Sequence, residues 1–145
     1  MATNMLEIRD KVRRYLTDLV PQVDVDAEGN FSFQQGSTRV RIAAFPLEND
    51  SSIILIEAPL LMGVTPSPEL YRYVATHSAN TLFGYLRVHE SEDGLEALLL
   101  LSASLLGDKL DREELQSTVT CVALGADDLD DKLQDRFGGT KWYDN

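Results

Sequence analysis

The sequence feature that most constrains the fold is a long amphipathic stretch between Leu110 and Gly139. Its apolar residues recur with gaps of three and four, which places them in one stripe along a helix. Asp111 and Glu114 form a capping-box pattern at the start, and Gly138 follows the last turn as a helix stop. The stripe consists of Leu115, Val119, Val122, Ala126, Leu129 and Leu133. It needs a surface to pack on, and only the β-rich segments of residues 22–106 are large enough.

The sequence leaves open whether this stretch forms one helix or two. Gly125 lies near its middle, and Ser117–Val122 is rich in residues that favour strands. The apolar stripe nevertheless keeps its phase across Gly125, which favours one helix over residues 111–137.

The other elements are indicated by periodicity and by turn residues. A first helix is predicted for residues 4–19, capped by Asn4 or Thr3, and a middle helix from Pro68 to about Thr81, capped by Ser67. Strands are predicted at residues 23–26, 31–34, 38–45, 52–58, 83–89 and 95–105. The order α-β-β-β-β-α-β-β-α predicts one α+β domain over residues 1–145, an antiparallel sheet flanked by helices. Residues 140–145 are expected to be a tail, which Trp142 and Tyr143 can hold down.

An apolar segment, Leu60–Val64, follows the strand that Pro59 is expected to end. Polar residues are usual in such a link, so two interpretations are open. The segment either closes one end of the core or forms an exposed patch for a partner or a second subunit. Met62 has the flexible side chain that suits adaptable binding, and Phe31, Phe33 and Phe45 raise the same question.

Charge and composition exclude several classes of partner. The net charge is −11, and all of the acidic excess lies in residues 45–145. Such a surface repels phosphate backbones, so no nucleic-acid partner is expected and a basic or neutral protein segment fits better. The alternative is that the acidity only keeps the protein soluble. With no apolar run long enough to cross a membrane, no signal sequence and a single cysteine, we expect a cytoplasmic protein.

The motifs that carry chemistry are largely missing. Asp24–Gly29 resembles the start of a calcium-binding loop, but Gln35 stands where a bidentate glutamate is needed, so a hairpin turn is the better interpretation. Zinc, nucleotide and nucleophile signatures are not found, and Cys121 is interpreted as a buried apolar thiol. Most of the four aspartates at positions 127, 128, 130 and 131 are interpreted as lying on a solvated helix face, because Leu129 and Leu133 face the core. We therefore expect no enzyme, no cofactor and no metal.

With this order of elements, the sequence resembles the type III secretion chaperone-like superfamily, including the YbjN-type proteins. The resemblance covers nearly all of residues 4–139. Its most specific parts are Ala79–Gly84, which passes directly into a strand, and the final helix with Leu110–Leu115, Leu129–Leu133 and Arg136–Gly139.

The resemblance implies a secretion-chaperone-like fold and a homodimer without enzymatic activity. Such chaperones pair through the middle helix and bind an extended partner segment along apolar patches and strand edges. By position, the implied partner-binding residues are Phe31, Phe33, Val40, Leu60, Leu61 and Met62. The implied dimer residues are Leu70, Tyr71, Tyr73, Val74 and His77. The alternative is a YbjN-type regulatory or interaction protein that docks a folded partner and has no peptide-chaperone role.

Overall fold

The computed structural model describes residues 4–78 and 84–141. Its elements are α1 (Met5–Leu19), β1 (Asp24–Val25), β2 (Phe31–Gln35), β3 (Thr38–Pro46), β4 (Ser52–Val64), α2 (Pro68–His77), β5 (Tyr85–Glu90), β6 (Ala97–Leu106) and α3 (Arg112–Phe137). The predicted α+β class and element order are confirmed. The predictions for Thr3, for residues 79–81 of the middle helix, for Phe83 at the start of the next strand, and for Trp142 and Tyr143 lie outside the described residues.

The six strands form one antiparallel sheet in the order β1-β2-β3-β4-β6-β5. The β5–β6 hairpin therefore joins the first four strands through β6, which pairs along the length of β4. Helices α1 and α3 contact the central strands, and α2 contacts the edge strand β5. The side chains of β4 alternate between full burial and partial burial, as expected for a sheet with helices on one face.

The predicted end of β4 at Pro59 is wrong, because β4 continues to Val64. The carbonyl of Pro59 accepts a hydrogen bond from the Thr38 hydroxyl at 3.1 Å, so the backbone of Pro59 faces β3. Regular pairing between β3 and β4 ends at Glu57, and the missing N–H of Pro59 therefore costs no ladder hydrogen bond. The predicted link is thus strand, and Leu60 and Leu61 are each 0% exposed in the core.

Helix α3 is continuous through Gly125, as the phase of the apolar stripe predicts. A Cβ at Gly125 would lie 3.2 Å from Cδ2 of Leu101 on β6, so glycine allows the helix to lie close to the sheet. Of the six stripe residues, five are fully buried and Leu129 is partly buried. The Asp111 cap is also confirmed, since its carboxylate accepts a 2.7 Å hydrogen bond from the Glu114 N–H.

The two glycines after α3 do more than stop the helix. Gly139 has a φ of +80°, and a Cβ there would lie 2.7 Å from the carbonyl oxygen of Met62. The next residue, Thr140, exchanges two backbone hydrogen bonds of 2.8 and 2.9 Å with Met62. The segment after α3, expected to be a tail, is therefore bridged at Thr140 to the end of β4.

Candidate functional site

One face of the sheet, called the open face, carries the side chains of β3, β4, β5 and β6 that alternate with the core residues. The strand register arranges them in rows across the sheet. One row is Arg41, Glu57, Ser102 and Tyr85, and the row beside it contains Pro59, Leu100 and Arg87. Charged, polar and apolar side chains are thus mixed on this face, whereas the opposite face of the same strands is apolar and packed.

A cavity of about 580 Å³ opens on the open face. All of its lining residues belong to strands or to the turn between β1 and β2. They are Asp26, Phe31, Ser32, Arg39, Arg41, Glu57, Pro59, Met62, Arg87, His89, Leu98 and Leu100. The lining therefore combines three arginines, one histidine and two carboxylates with apolar side chains.

The arginines of the cavity are held in place by acidic partners. Arg87 donates from Nη1 to Oε2 of Glu57 at 2.9 Å, and the Glu57 side chain is only 17% exposed. Arg39 pairs with Asp24 and also donates to the Ser32 hydroxyl at 2.9 Å. Each ion pair reaches across an intervening strand, β6 for Arg87–Glu57 and β2 for Arg39–Asp24, and so gives the guanidinium group a defined position.

The turn beside the cavity explains the resemblance to a calcium loop. One carboxylate oxygen of Asp26 accepts hydrogen bonds of 2.9 Å from the N–H groups of Glu28 and Asn30. The bond from the Asn30 backbone is the main cause that holds the pKa of Asp26 below its usual range. The predicted hairpin turn is confirmed, because β1 and β2 pair on either side of this turn.

The predicted partner-binding residues lie mostly in the core. Phe31, Phe33, Val40, Leu60 and Leu61 are all at most 5% exposed, since they belong to the packed face or end of the sheet. Met62 is half-buried, and it lines the cavity together with Phe31. The role of these six residues in partner binding stays a prediction.

The predicted dimer residues occupy several sides of α2. Leu70 is fully buried under the helix, and Tyr71 is 38% exposed. The Tyr73 ring stacks on His77 with centroids 3.9 Å apart, and Val74 packs partly against the core. Of the five side chains, Tyr71 is thus the most exposed to an approaching chain, and the dimer role of the set stays a prediction.

The sequence interpretation missed the three arginines that meet in the cavity. Their signal was present, because Arg39 and Arg41 alternate with Val40 and Ile42 and must therefore share one face. Arg87 lies on β5, the strand at the other edge of the sheet, and it lines the same cavity only because β6 pairs with β4. No pattern within β5 indicates that neighbour.

The interpretation of the four aspartates on α3 as a solvated face is wrong for two of them. Asp128 and Asp131 are exposed, but Asp127 is half-buried and Asp130 is 1% exposed. The turn between β2 and β3 packs against this part of α3, and the hydroxyl of Ser37 contacts both inner carboxylates. Helix periodicity alone does not show that a distant turn covers these positions.

Asp130 carries a buried negative charge that is poorly compensated. Its Oδ1 has no hydrogen-bond partner among the described residues, and Oδ2 accepts a hydrogen bond from the Ser37 hydroxyl. Ser37 has one hydroxyl proton for two carboxylates, since Asp127 lies 3.0 Å from the same oxygen. Burial therefore raises the pKa of Asp130 above its usual range, although the Ser37 hydrogen bond and the charge of Lys141 offset part of the rise.

We expect the substitution Asp130→Asn to raise the free energy of unfolding at pH 7 by about 1 kcal/mol, because it removes a buried charge. The raised pKa means that the native protein binds the Asp130 proton more tightly than the unfolded chain. The stabilisation that comes from binding this proton is thus complete at low pH, and it is lost as the pH rises through the pKa of Asp130 in the native protein. Urea unfolding between pH 3 and 7 should show that the stability of the variant relative to the wild type increases with pH. The substitution Asp128→Asn, at an exposed position, serves as control. An equal loss of stability by the variant at both pH values would contradict this account.

Other chemical sites are sparse in the described residues. Within residues 4–78 and 84–141, no three His, Cys, Asp or Glu side chains are grouped closely enough to hold a metal ion. Cys121 is a free thiol and is only partly buried, less than its sequence context predicts. None of the helices in these ranges has the length and apolar character needed to cross a membrane.

Comparisons with known proteins place this geometry in a family. Residues 7–145 match the TY-Chap1 family, described as T3SS (YopN, CesT) and YbjN peptide-binding chaperone 1. YbjN from E. coli superposes with a TM-score of 0.60 at 16% identity, covering 86% of this chain and 92% of that one. A chain of the ExsC-ExsE complex gives 0.56 at 19% identity, covering 90% and 96% respectively. No curated protein sequence matches the chain. The two structures show the fold, and the family match confirms the resemblance.

Proposed function

Because the chain belongs to the TY-Chap1 family of peptide-binding chaperones, we propose that it binds an extended segment of a partner protein. The proposal includes a cytoplasmic homodimer without enzymatic activity. The observation that carries it is the cavity of about 580 Å³ on the open face, which is concave and lined by both apolar and charged side chains. An extended segment offers both kinds of contact through its side chains.

Relatives with the same fold support partner binding in two forms. One similar structure contains ExsC together with ExsE, so a protein of this fold holds a protein partner there. YbjN has been described as a candidate transcription regulator, and this description corresponds to the alternative role of docking a folded partner. The two roles differ in whether the ligand is extended or folded, and this difference can be tested directly.

The first test is a peptide array that presents unstructured peptides of 13 residues with all charge compositions. The wild-type protein is expected to retain a subset of these peptides. Leu98→Asp places a charge in the cavity and should abolish retention, whereas Leu124→Asp on the exposed side of α3 should not. Retention of no peptide at all, or equal retention by both variants, would contradict the peptide-binding role. Binding to folded proteins alone would favour the regulatory alternative.

The second test concerns the homodimer. We expect light scattering to give a mass near twice 16.2 kDa that stays constant on dilution. Tyr71→Arg should reduce this mass to the monomer value, because it places a cation on the exposed side of α2. Tyr85→Arg is a matched control, since Tyr85 is 39% exposed and lies on β5. A constant mass near 16.2 kDa for the wild type would contradict the dimer, but it would not change the conclusion drawn from the peptide array.

A further inference from the structure

The chain that follows α3 runs beside the cavity. Thr140 exchanges two backbone hydrogen bonds with Met62, and Met62 lines the cavity. The bridge is antiparallel, so the chain after Thr140 is directed back along β4, from Met62 towards Pro59. Pro59 is also a lining residue. The last described residues therefore direct the chain along one wall of the cavity.

The Lys141 side chain indicates to which side the next residue points. Its Nζ lies 2.5 Å from Oδ1 of Asp131 on α3, and the side chain is only 18% exposed. Lys141 is thus directed to the side of the sheet on which α3 packs, opposite to the open face. Successive side chains of an extended chain point to opposite sides. Trp142 is therefore expected to point to the open face, where the cavity lies.

The cavity suits a tryptophan side chain in size and in chemistry. Its volume of about 580 Å³ lies within the range of about 300–1,000 Å³ that is usual for binding pockets. Because Arg39 and Arg87 are each paired with a carboxylate, charge does not select the occupant. The apolar part of the lining, which includes Leu98 and Leu100, favours a large ring. Tryptophan supplies such a ring together with one N–H donor for the polar part.

We propose that the Trp142 side chain occupies the cavity in the free protein and, on the premise of the proposed function, that a partner segment must displace it. The segment after Thr140 is then an internal competitor of the partner. The apparent affinity for a partner is lowered in proportion to the fraction of molecules in which the cavity is open. Partners that make many contacts with the open face displace Trp142, and weakly binding chains do not.

The first experiment measures the accessibility of Trp142, which is the only tryptophan in the sequence. Acrylamide quenches tryptophan fluorescence by collision, and as a neutral molecule it is not repelled by the acidic protein. We expect the quenching constant of the native protein to be less than about half that of the urea-unfolded chain, because a ring in the cavity is shielded. Leu98→Asp should raise the constant to the unfolded value. Leu106→Asp is the matched control on the same face of the same strand, since it is 67% exposed and lies outside the cavity.

Thr140→Pro tests the same arrangement without a change in the cavity lining. Proline lacks the N–H that Thr140 donates to the Met62 carbonyl at 2.9 Å, so the start of the segment is released. We expect acrylamide quenching to increase as in Leu98→Asp, while circular dichroism shows an unchanged fold. This variant also decides the test if Leu98→Asp does not fold.

The second experiment tests the competition with the array peptides of the proposed function. Fluorescence anisotropy compares their affinities for the wild type, Trp142→Ala and Trp142→Phe. Trp142→Ala should bind the retained peptides at least about threefold more tightly than the wild type, because the cavity is open in a larger fraction of molecules. Trp142→Phe keeps an aromatic ring and should bind like the wild type.

Four results would overturn the proposal. Trp142 could be quenched as strongly in the native as in the unfolded chain, or it could stay shielded in the folded Leu98→Asp and Thr140→Pro variants. Shielding could be lost on dilution, which would place Trp142 between two copies of the chain. The affinities of Trp142→Ala and the wild type could also be equal. Peptide binding by neither protein would contradict the proposed function, but quenching would still decide where Trp142 lies, so the two failures are distinguishable.

Discussion

Replacing Leu61 with alanine is expected to lower the free energy of unfolding by about 2–5 kcal/mol. Leu61 is 0% exposed, and its position opposite Leu99 places it inside the packed end of the sheet. Removal of its methyl groups therefore leaves a cavity among side chains that β4 and α3 hold in place. The loss is of the same order as the whole stability of many domains of this size, so the variant should unfold at a markedly lower urea concentration.

Leu106→Ala is the matched control for this prediction. Leu106 also lies on a central strand, but it is 67% exposed, and its truncation should change the free energy of unfolding by less than about 0.5 kcal/mol. Urea unfolding followed by circular dichroism measures both variants. Equal and small effects would mean that Leu61 does not lie in the core. They would favour the alternative interpretation, in which Leu60–Val64 is an exposed patch.

Gly139→Ala is expected to be the other strongly destabilising change, at about 3 kcal/mol. Its φ of +80° is unfavourable for any residue with a Cβ, and that atom would meet the Met62 carbonyl oxygen at 2.7 Å. Backbone cannot move aside as a flexible side chain can, so the bridge between Thr140 and Met62 must open.

Gly138→Ala separates the two causes. Gly138 also has a positive φ, of +74°, but no atom outside its immediate neighbours lies within 4 Å of the position that a Cβ would take. Its substitution should cost only the conformational strain, about 1–2 kcal/mol. Thermal and urea unfolding should therefore rank wild type above Gly138→Ala and Gly138→Ala above Gly139→Ala. Equal stability of the two variants would show that the contact with Met62 is not tight.

Much of the fold follows from local signals in the sequence. The apolar stripe of α3 and the caps at Asn4, Ser67 and Asp111 depend on neighbouring residues only, so their prediction is confirmed. The end of β4 is different, because proline is tolerated there only where pairing with β3 has already stopped. That condition depends on where β3 stops pairing, so the residues around Pro59 do not indicate it.

The candidate site was harder to predict because distant segments build it. Residues from the first hairpin, from β4 and from the β5–β6 hairpin line one cavity, and no motif links them. Asp130 illustrates the same limit, since the turn that buries it lies more than 90 residues earlier in the chain. The prediction of a binding patch was based on hydrophobic residues alone. Arg39 and Arg87 lie in strands that show only the usual alternation of polar and apolar residues, so their charges did not indicate a site.

The strand order has a consequence for synthesis. β4 pairs with β6, but α2 and β5 separate them in the chain, so roughly 40 residues follow β4 before its second neighbour is complete. At ribosomal rates of about 5–20 residues per second, this interval lasts roughly 2–8 s. During that time the edge of Ile53–Ile56 has unpaired backbone groups and apolar side chains, which are the features that promote intermolecular strand pairing. The nascent chain is therefore most prone to aggregate between completion of β4 and arrival of β6.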